Sequence, residues 1–186
     1  MRNFLLSLIG VGLMSISLIQ LGYADDFMLK SSAITSGKSI SNEQVFNGFG
    51  CTGSNISPDL FWSHAPPNTK AYAVTVFDPD APTGSGWWHW VVFNIPSAEK
   101  GLPLNAGDPK AGLMPKGAIQ SKTDFGTTAY GGPCPPIGDK LHHYHFRVYA
   151  LKNTVPLTAD TPAAQVAYYI NLNKLAEAEL VATFGR

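Results

Sequence analysis

The chain has 186 residues, of which 45% are hydrophobic and only 14% are charged. Its 13 basic and 13 acidic residues give a formal net charge of zero, which excludes attraction to nucleic acid or to an anionic membrane through net charge. The 18 glycines and 14 prolines are typical of a chain with many short strands joined by structured turns.

The N-terminal segment has the pattern of a secretory signal peptide. Arg2 precedes an apolar run from Phe4 to Leu21, and Gly22-Tyr23-Ala24 supplies the small residues that signal peptidase prefers. We therefore predict a signal peptide over residues 1–24 and one mature domain over residues 25–186. A membrane anchor is the alternative, because the run is near the lower length of a spanning helix. The length and the small-residue end favour cleavage, which predicts a periplasmic or secreted protein without stable membrane insertion.

Only two cysteines occur, Cys51 and Cys134, and both lie after the predicted signal peptide. In an oxidising compartment a lone pair of cysteines is more often bridged than free, so the sequence predicts a disulfide between them. Two buried thiols are the alternative.

Two strong strand patterns flank an acidic loop that contains prolines. Ala71 to Phe77 is rich in β-branched and aromatic residues, and Trp87-Trp88-His89-Trp90 opens the second strand. The loop between them, DPDAPTGSG, is stiffened by Pro79 and Pro82, which fix the backbone φ angle. Strand alternation predicts one inward row on each strand. These rows are Tyr72, Val74, Val76 and Asp78 on the first strand, and His89, Val91, Phe93 and Ile95 on the second.

A long segment and a proline-rich turn lead into a third strand. Leu102 to Gly132 contains only short apolar pieces, and a loop of this length in a compact domain is usually packed or functional. The turn GGPCPPIG, residues 131–138, restricts the backbone enough to predict a rigid rim. Leu141 to Leu151 then gives the strongest strand pattern, with His143 and His145 on its outer face. Its predicted inward row is His142, Tyr144, Phe146, Val148 and Ala150.

The C-terminal part combines a helix with a closing strand. Thr161-Pro162 is a typical helix start, and the composition of Ala163 to about Ala178 predicts a helix. Leu180 to Phe184 can extend the helix or form a strand, and we favour the strand.

If the three strands line one core, four polar side chains meet at its rim: Asp78, His89, His142 and Tyr144. Two imidazoles and a carboxylate match the ligand set of a metal site, but no HxH or HxxxH pair contains both histidines. Acid/base hydrolysis is a second interpretation, although no nucleophile motif accompanies the histidines. Histidines satisfied within an apolar core are a third.

An anion site fits the same residues. Imidazoles, a tyrosyl hydroxyl and backbone N–H groups can all donate to a phosphate or carboxylate, while a single carboxylate can orient an imidazole or bind an attached ammonium. His89 and His142 have an unperturbed pKa near 6.5. Because these rings become protonated as the pH falls, we expect the site to bind an anion more tightly at lower pH.

Three ordered motifs closely resemble the phosphatidylethanolamine-binding protein family: DPDAP from Asp78 to Pro82, Trp88-His89, and GPCPPIGDKLHHY from Gly132 to Tyr144. NISPDLFW, from Asn55 to Trp62, is similar to the bacterial Raf-kinase-inhibitor-like branch of that family. The resemblance runs from about Phe27 to the C-terminus. It implies a mainly β fold, an antiparallel β-sandwich with a peripheral C-terminal helix.

The resemblance also implies a small anion pocket rather than a catalytic centre, with no cofactor and no metal. The positions that match pocket residues of the family are Asp78, Pro82, His89, Pro135, Pro136, His142 and Tyr144. The ligand implied is a small anion of the phosphate or phospholipid-headgroup type. A homodimer and an unnamed partner protein that the chain modulates are further expectations. The alternative function is a small-molecule hydrolase that uses His89 or His142 as acid or base.

Overall fold

The structure is a computed structural model that describes residues 26–186. The signal peptide predicted over residues 1–24 lies outside the described residues. Within residues 26–186 the chain forms ten β-strands, one α-helix and one 3-10 turn (Pro109–Ala111). The strands are β1 (Met28–Lys30), β2 (Asn47–Gly48), β3 (Cys51–Thr52), β4 (Leu60–Ser63), β5 (Ala71–Asp78), β6 (Trp87–Pro96), β7 (Gly101–Leu102), β8 (Ile119–Gln120), β9 (His142–Leu151) and β10 (Lys174–Phe184), and the helix α1 (Ala163–Asn173) precedes β10.

Five strands form the main sheet, which is antiparallel throughout and has the order β10-β9-β5-β6-β8. A second antiparallel sheet contains β1, β4 and β7, and β2 and β3 form a separate hairpin. In the main sheet Ala71 of β5 lies opposite both Pro96 of β6 and Leu151 of β9. The C-terminal end of β5 therefore lies between the N-terminal ends of β6 and β9.

The main sheet is covered on both faces, which explains why β5 is apolar along almost its whole length. One face packs on the second sheet and forms the first core, which includes Leu60 and Trp62 opposite Val74 and Phe146. The other face packs on α1 and forms the second core around Val166. The prediction of a mainly β, antiparallel sandwich with a peripheral helix near the C-terminus is confirmed.

The inward row predicted for β6 is wrong. Val91 and Phe93 pack in the second core, beneath α1, whereas Trp90 and Ile95 pack in the first core. His89 therefore does not share a simple alternating row with the residues that follow it.

A β-bulge at the start of β6 explains the position of His89. Val76 of β5 lies opposite Trp90, and the next residue, Phe77, lies opposite Trp88, which leaves His89 without a partner on β5. A bulged residue bends its strand and redirects its side chain. Here the bulge turns His89 to the same side of the sheet as Trp90, although the two are adjacent in sequence.

A second bulge in β6 cancels the change in side-chain alternation that the first bulge introduces. Between Val92 and Ile95 the strand has one residue more than β5. Asn94 has a φ of 56°, in the left-handed region that asparagine tolerates better than most residues. Its side-chain amide donates to the carbonyl of Val155 and accepts from the N–H of the same residue, which holds the bulge in place.

The end of the helix also differs from the prediction. Helix α1 ends at Asn173 rather than near Ala178, and Pro162 is its N-cap, without a side-chain hydrogen bond. β10 begins at Lys174 because this segment pairs with β9 from Lys174 to Phe184 and buries Ala178 and Ala182 against the first core. Residues 26–186 contain no helix with the length and hydrophobicity that crossing a membrane requires.

Candidate functional site

The polar residues at one end of the main sheet surround a cavity of about 210 Å³. Asp78 ends β5, His89 lies in the bulge of β6, and His142 and Tyr144 begin β9. Antiparallel pairing brings these strand ends together. All seven residues predicted for the site line the cavity: Asp78, Pro82, His89, Pro135, Pro136, His142 and Tyr144.

Asp78 and His142 form a buried pair, with each residue only 2% exposed. Nδ1 of His142 donates to Oδ2 of Asp78 at 2.7 Å, and the N–H of Asp80 donates to Oδ1 at 2.9 Å. The carboxylate thus fixes the orientation of the imidazole. Nε2 of His142 lies 3.5 Å from Oδ2 of Asp139, a half-exposed carboxylate at the rim.

His89 is held by the backbone. Its Nδ1 lies 2.7 Å from the carbonyl oxygen of Gly131, and because a carbonyl only accepts, this nitrogen carries the proton. Burial lowers the pKa of His89 to about 4, even though the Gly131 carbonyl and the nearby Asp78 act in the opposite direction. The ring is therefore neutral at neutral pH, and Nε2 is a hydrogen-bond acceptor. This contradicts the expectation that His89 titrates near pH 6.5.

The hydroxyl of Tyr144 has no hydrogen-bond partner within residues 26–186, although the residue is only 1% exposed. Burial, together with the negative charge of Asp78, raises the pKa of Tyr144 above its usual value, so the hydroxyl keeps its proton. The ring packs edge-to-face on His89, with ring centroids 5.1 Å apart. The cavity wall therefore contains an unused neutral donor.

Aromatic rings that the sequence did not assign to the site form much of the wall. Phe125 packs edge-on against His89 and against Trp87, and Phe49 stacks on Phe125 with ring centroids 5.9 Å apart. Both phenylalanines line the cavity. The signal for Phe125 was the long segment before the rim, which was predicted to be packed or functional. Phe49 had no comparable signal because it belongs to a short hairpin far away in sequence.

Cys51 and Cys134 are joined by a disulfide, with Cα atoms 6.0 Å apart. Cys134 lines the cavity, and Cys51 lies in β3. The bridge therefore connects the β2–β3 hairpin, which contains Phe49, to the proline-rich rim over residues 131–138. Arg186 supports the same junction. It donates from Nε to the carbonyl of Pro135 at 2.6 Å and from Nη2 to the carbonyl of Phe49 at 3.1 Å.

The charge of the site is low. The residues that line the cavity include Asp78 as their one carboxylate, and neither lysine nor arginine is among them. In the part of the chain that the structure describes, no three histidine, cysteine, aspartate or glutamate side chains come together as a metal-binding group. The side chains present can donate to an oxyanion from Tyr144, accept a hydrogen bond at His89, and use the oriented ring of His142.

The fold and the site together define a β-sandwich binding protein with a small pocket at one end of its main sheet. The model of the phosphatidylethanolamine-binding protein family matches residues 30–185. The chain belongs to this family.

Individual relatives agree with that assignment. The chain is 49% identical over 159 residues to protein YbcL of Escherichia coli (strain K12), covering 85% of this chain and 87% of YbcL. The crystal structure of YbcL, described as a new member of the mammalian PEBP family, matches with a TM-score of 0.85 and 48% identity over 87% of this chain and 99% of that chain. A PEBP homologue from Chlamydia trachomatis, CT736, matches with a TM-score of 0.70 and 28% identity over 87% of this chain and 98% of that chain. A Mycobacterium tuberculosis (strain ATCC 25618 / H37Rv) relative named lipoprotein LppC is 35% identical over 136 residues, covering 73% of this chain and 63% of LppC.

Proposed function

We propose that the chain is an exported binding protein that holds a phosphate-bearing or similar small anionic group in the cavity. The observation that carries the proposal is the buried, unpaired hydroxyl of Tyr144. A buried donor without a partner costs about 1–3 kcal/mol, and an oxyanion in the cavity supplies the missing acceptor. The imidazole of His142, which Asp78 holds in one orientation, lines the cavity together with Tyr144.

The size and walls of the cavity support a small ligand. Its volume of about 210 Å³ is below the roughly 300–1,000 Å³ of pockets for drug-sized molecules, which suits a phosphate group or a headgroup fragment. Phe49, Trp87 and Phe125 give the cavity apolar aromatic walls beside its polar groups. Hydrogen bonds are electrostatically stronger in such an environment than in water.

Export is part of the proposal. It is supported by the signal-peptide pattern over residues 1–24, by the disulfide between Cys51 and Cys134, and by a relative whose name is lipoprotein. A disulfide of this kind persists in oxidising compartments. Homodimer formation and modulation of a partner protein through the pocket rim stay predictions.

The proposal is tested by titrating the mature protein with phenyl phosphate in a calorimeter. His142→Ala removes the imidazole that pairs with Asp78 and leaves the Asp78 carboxylate unpaired next to the ligand, so binding should weaken about ten- to a hundredfold. His143→Ala is the matched control, because His143 points to the other face of β9 and pairs with Asp80 there. Equal losses in the two variants, or no binding by the wild-type protein, contradict the proposal.

Hydrolysis is the second candidate, and the Asp78–His142 pair favours it. A carboxylate that orients an imidazole is the arrangement of a general base. Nucleophiles are scarce around the cavity, because the hydroxyl of Thr83 donates to the carbonyl of Gly86 and Cys134 is in the disulfide. Turnover of p-nitrophenyl phosphate or acetate that His142→Ala abolishes would establish this function instead.

A further inference from the structure

We infer that the pocket selects the singly protonated form of a phosphate monoester, so that the ligand rather than the protein carries the proton next to His89. The inference rests on the proposed function. It is carried by the pattern of donors and acceptors around the cavity.

The first step is the charge that a ligand meets. Lysine and arginine are missing from the cavity lining, and Asp78 is a carboxylate at its floor. The rim cation Arg186 is already engaged by the carbonyls of Pro135 and Phe49. A phosphate dianion would therefore bring two charges to a site that offers no fixed positive charge. A monoanion brings half that charge, so both its desolvation and its repulsion by Asp78 are smaller.

The second step is the hydrogen-bonding role of His89. Its Nδ1 proton is committed to the Gly131 carbonyl, so the remaining nitrogen of this cavity-lining ring presents a lone pair. A bare oxyanion oxygen would face that lone pair without a proton between them. The P–OH group of a monoester monoanion donates to Nε2, and an unprotonated oxygen of the same phosphate accepts from Tyr144. A monoester monoanion can therefore donate to His89 and accept from Tyr144 at the same time.

The charged and titratable groups around His89 do not change the conclusion that its ring is neutral. Asp78 acts on His89 from β5, His142 and the neutral Tyr144 act on it from β9, and Asp139 faces the far nitrogen of His142. Asp78 favours the protonated ring of His89, but burial is the larger effect and lowers its pKa to about 4. The proton between ligand and ring is therefore held by the more basic phosphate, whose second pKa is about 6.

Calorimetry with two matched probes tests the inference. Phenyl phosphate can carry the proton, whereas phenyl sulfate is a monoanion of similar shape that cannot. At pH 8, in buffers of different ionisation heat, phenyl phosphate should take up about one proton per site, and its affinity should fall about tenfold per pH unit above pH 6. Phenyl sulfate should bind at least tenfold more weakly than phenyl phosphate at pH 5.5, with no proton uptake.

Each contrary result has a distinct meaning. Proton uptake with phenyl sulfate as well shows that an imidazole becomes charged, and phenyl phosphate binding at pH 8 without uptake shows that the dianion is accepted. Either result overturns the inference and leaves the proposed function standing. Binding of neither probe at any pH overturns both the inference and the proposed function.

Glycerophosphoethanolamine is a headgroup diester without a P–OH group. It should bind more weakly than phenyl phosphate at pH 5.5, and tighter binding overturns the preference for a monoester.

Substitution of His89 tests whether this residue sets the preference for phosphate over sulfate. An amide side chain can donate or accept, so His89→Gln should reduce the preference for phenyl phosphate over phenyl sulfate at pH 5.5 towards one. His143→Ala, on the opposite face of β9, should keep the wild-type ratio. An unchanged ratio in His89→Gln means that His89 does not set the selectivity.

Discussion

The hydroxyl of Tyr144 is the polar group of the pocket that gains most from a ligand. It is buried, protonated and unpaired, whereas His142 already donates to Asp78 and His89 already donates to Gly131. Polar groups in a native interior are nearly always paired, so an unpaired donor at the wall of a cavity indicates a partner that binds there. Single substitutions can separate this role from a structural one.

We predict that Tyr144→Phe weakens phenyl phosphate binding about tenfold and leaves the free energy of unfolding unchanged or slightly raised. The hydroxyl makes no hydrogen bond in the free protein, so its removal loses no stabilising contact. Tyr130→Phe is the control, because that buried hydroxyl donates to the Gln44 carbonyl at 3.0 Å. It should cost about 1 kcal/mol of stability without an effect on binding. The reverse pattern, in urea unfolding and calorimetry, contradicts the assignment.

His89 predicts a specific dependence of stability on pH. Its pKa is about 4 in the folded protein and about 6.5 in the unfolded chain, so between these values the unfolded chain binds a proton that the folded protein does not. Stability attributable to His89 is therefore complete above pH 6.5 and decreases as the pH falls towards 4, by about 3 kcal/mol at the limit.

Urea unfolding of wild type and His89→Gln at pH 7 and pH 4.5 measures this effect. The wild-type protein should lose more stability than the variant over that interval, because the glutamine does not titrate. Parallel losses in the two proteins would show that His89 is not held neutral by burial.

At the scale of the elements, the bulge in β6 decides which side chains reach the pocket. The inward row of β9 was predictable because that strand alternates without interruption, and Tyr144, Phe146 and Val148 all lie in the first core. The row of β6 was not predictable, because strand pairing with β5 places the bulge and the sequence of β6 alone does not mark it. Face alternation placed His89 at the rim but grouped it with Val91 and Phe93, which lie in the second core, whereas the DPDAP and Trp-His motifs indicated His89 through family resemblance without that error.

The boundary between α1 and β10 shows the same limit. The stretch Lys174 to Ala182 is rich in alanine, leucine and glutamate, which favour a helix in isolation. Its pairing with β9 and the burial of two of its alanines outweigh that local preference. Propensity is a weak guide where a strand is completed by contacts distant in sequence.

The disulfide between Cys51 and Cys134 should stabilise the domain by up to about 4 kcal/mol, because the cysteines are 83 residues apart and the bridge restricts a long loop in the unfolded chain. Cys51→Ala/Cys134→Ala should therefore unfold at lower urea concentration than the wild-type protein. Reduction should move the wild type to the midpoint of the variant. Two alkylatable thiols in the folded, exported protein, detected by mass spectrometry without reduction, would rule out the bridge.

At the scale of the whole molecule, the sandwich explains why the site lies where it does. Each face of the main sheet carries a packed apolar core, and the polar groups of the pocket collect where strands end and loops begin. The composition and turn pattern indicated a β protein. The walls from Phe49 and Phe125 depend on contacts between distant loops, which no pattern in a single sequence specifies.

Export is the prediction that belongs to the whole chain. Expressed with its N-terminal segment, the protein should accumulate outside the cytoplasm in a processed form that begins at Asp25. Replacing the apolar run with polar residues should retain it inside the cell. N-terminal sequencing of fractionated material measures both, and an unprocessed chain that stays in the cytoplasm contradicts the prediction.

The most direct test of the central claim is a crystal structure of the mature protein with phenyl phosphate. The proposal predicts the phosphate inside the cavity, with one oxygen about 2.7 Å from the hydroxyl of Tyr144 and another within hydrogen-bond distance of Nε2 of His89. Phosphate bound only outside the cavity, or a metal ion coordinated by Asp78, His89 and His142, would contradict it.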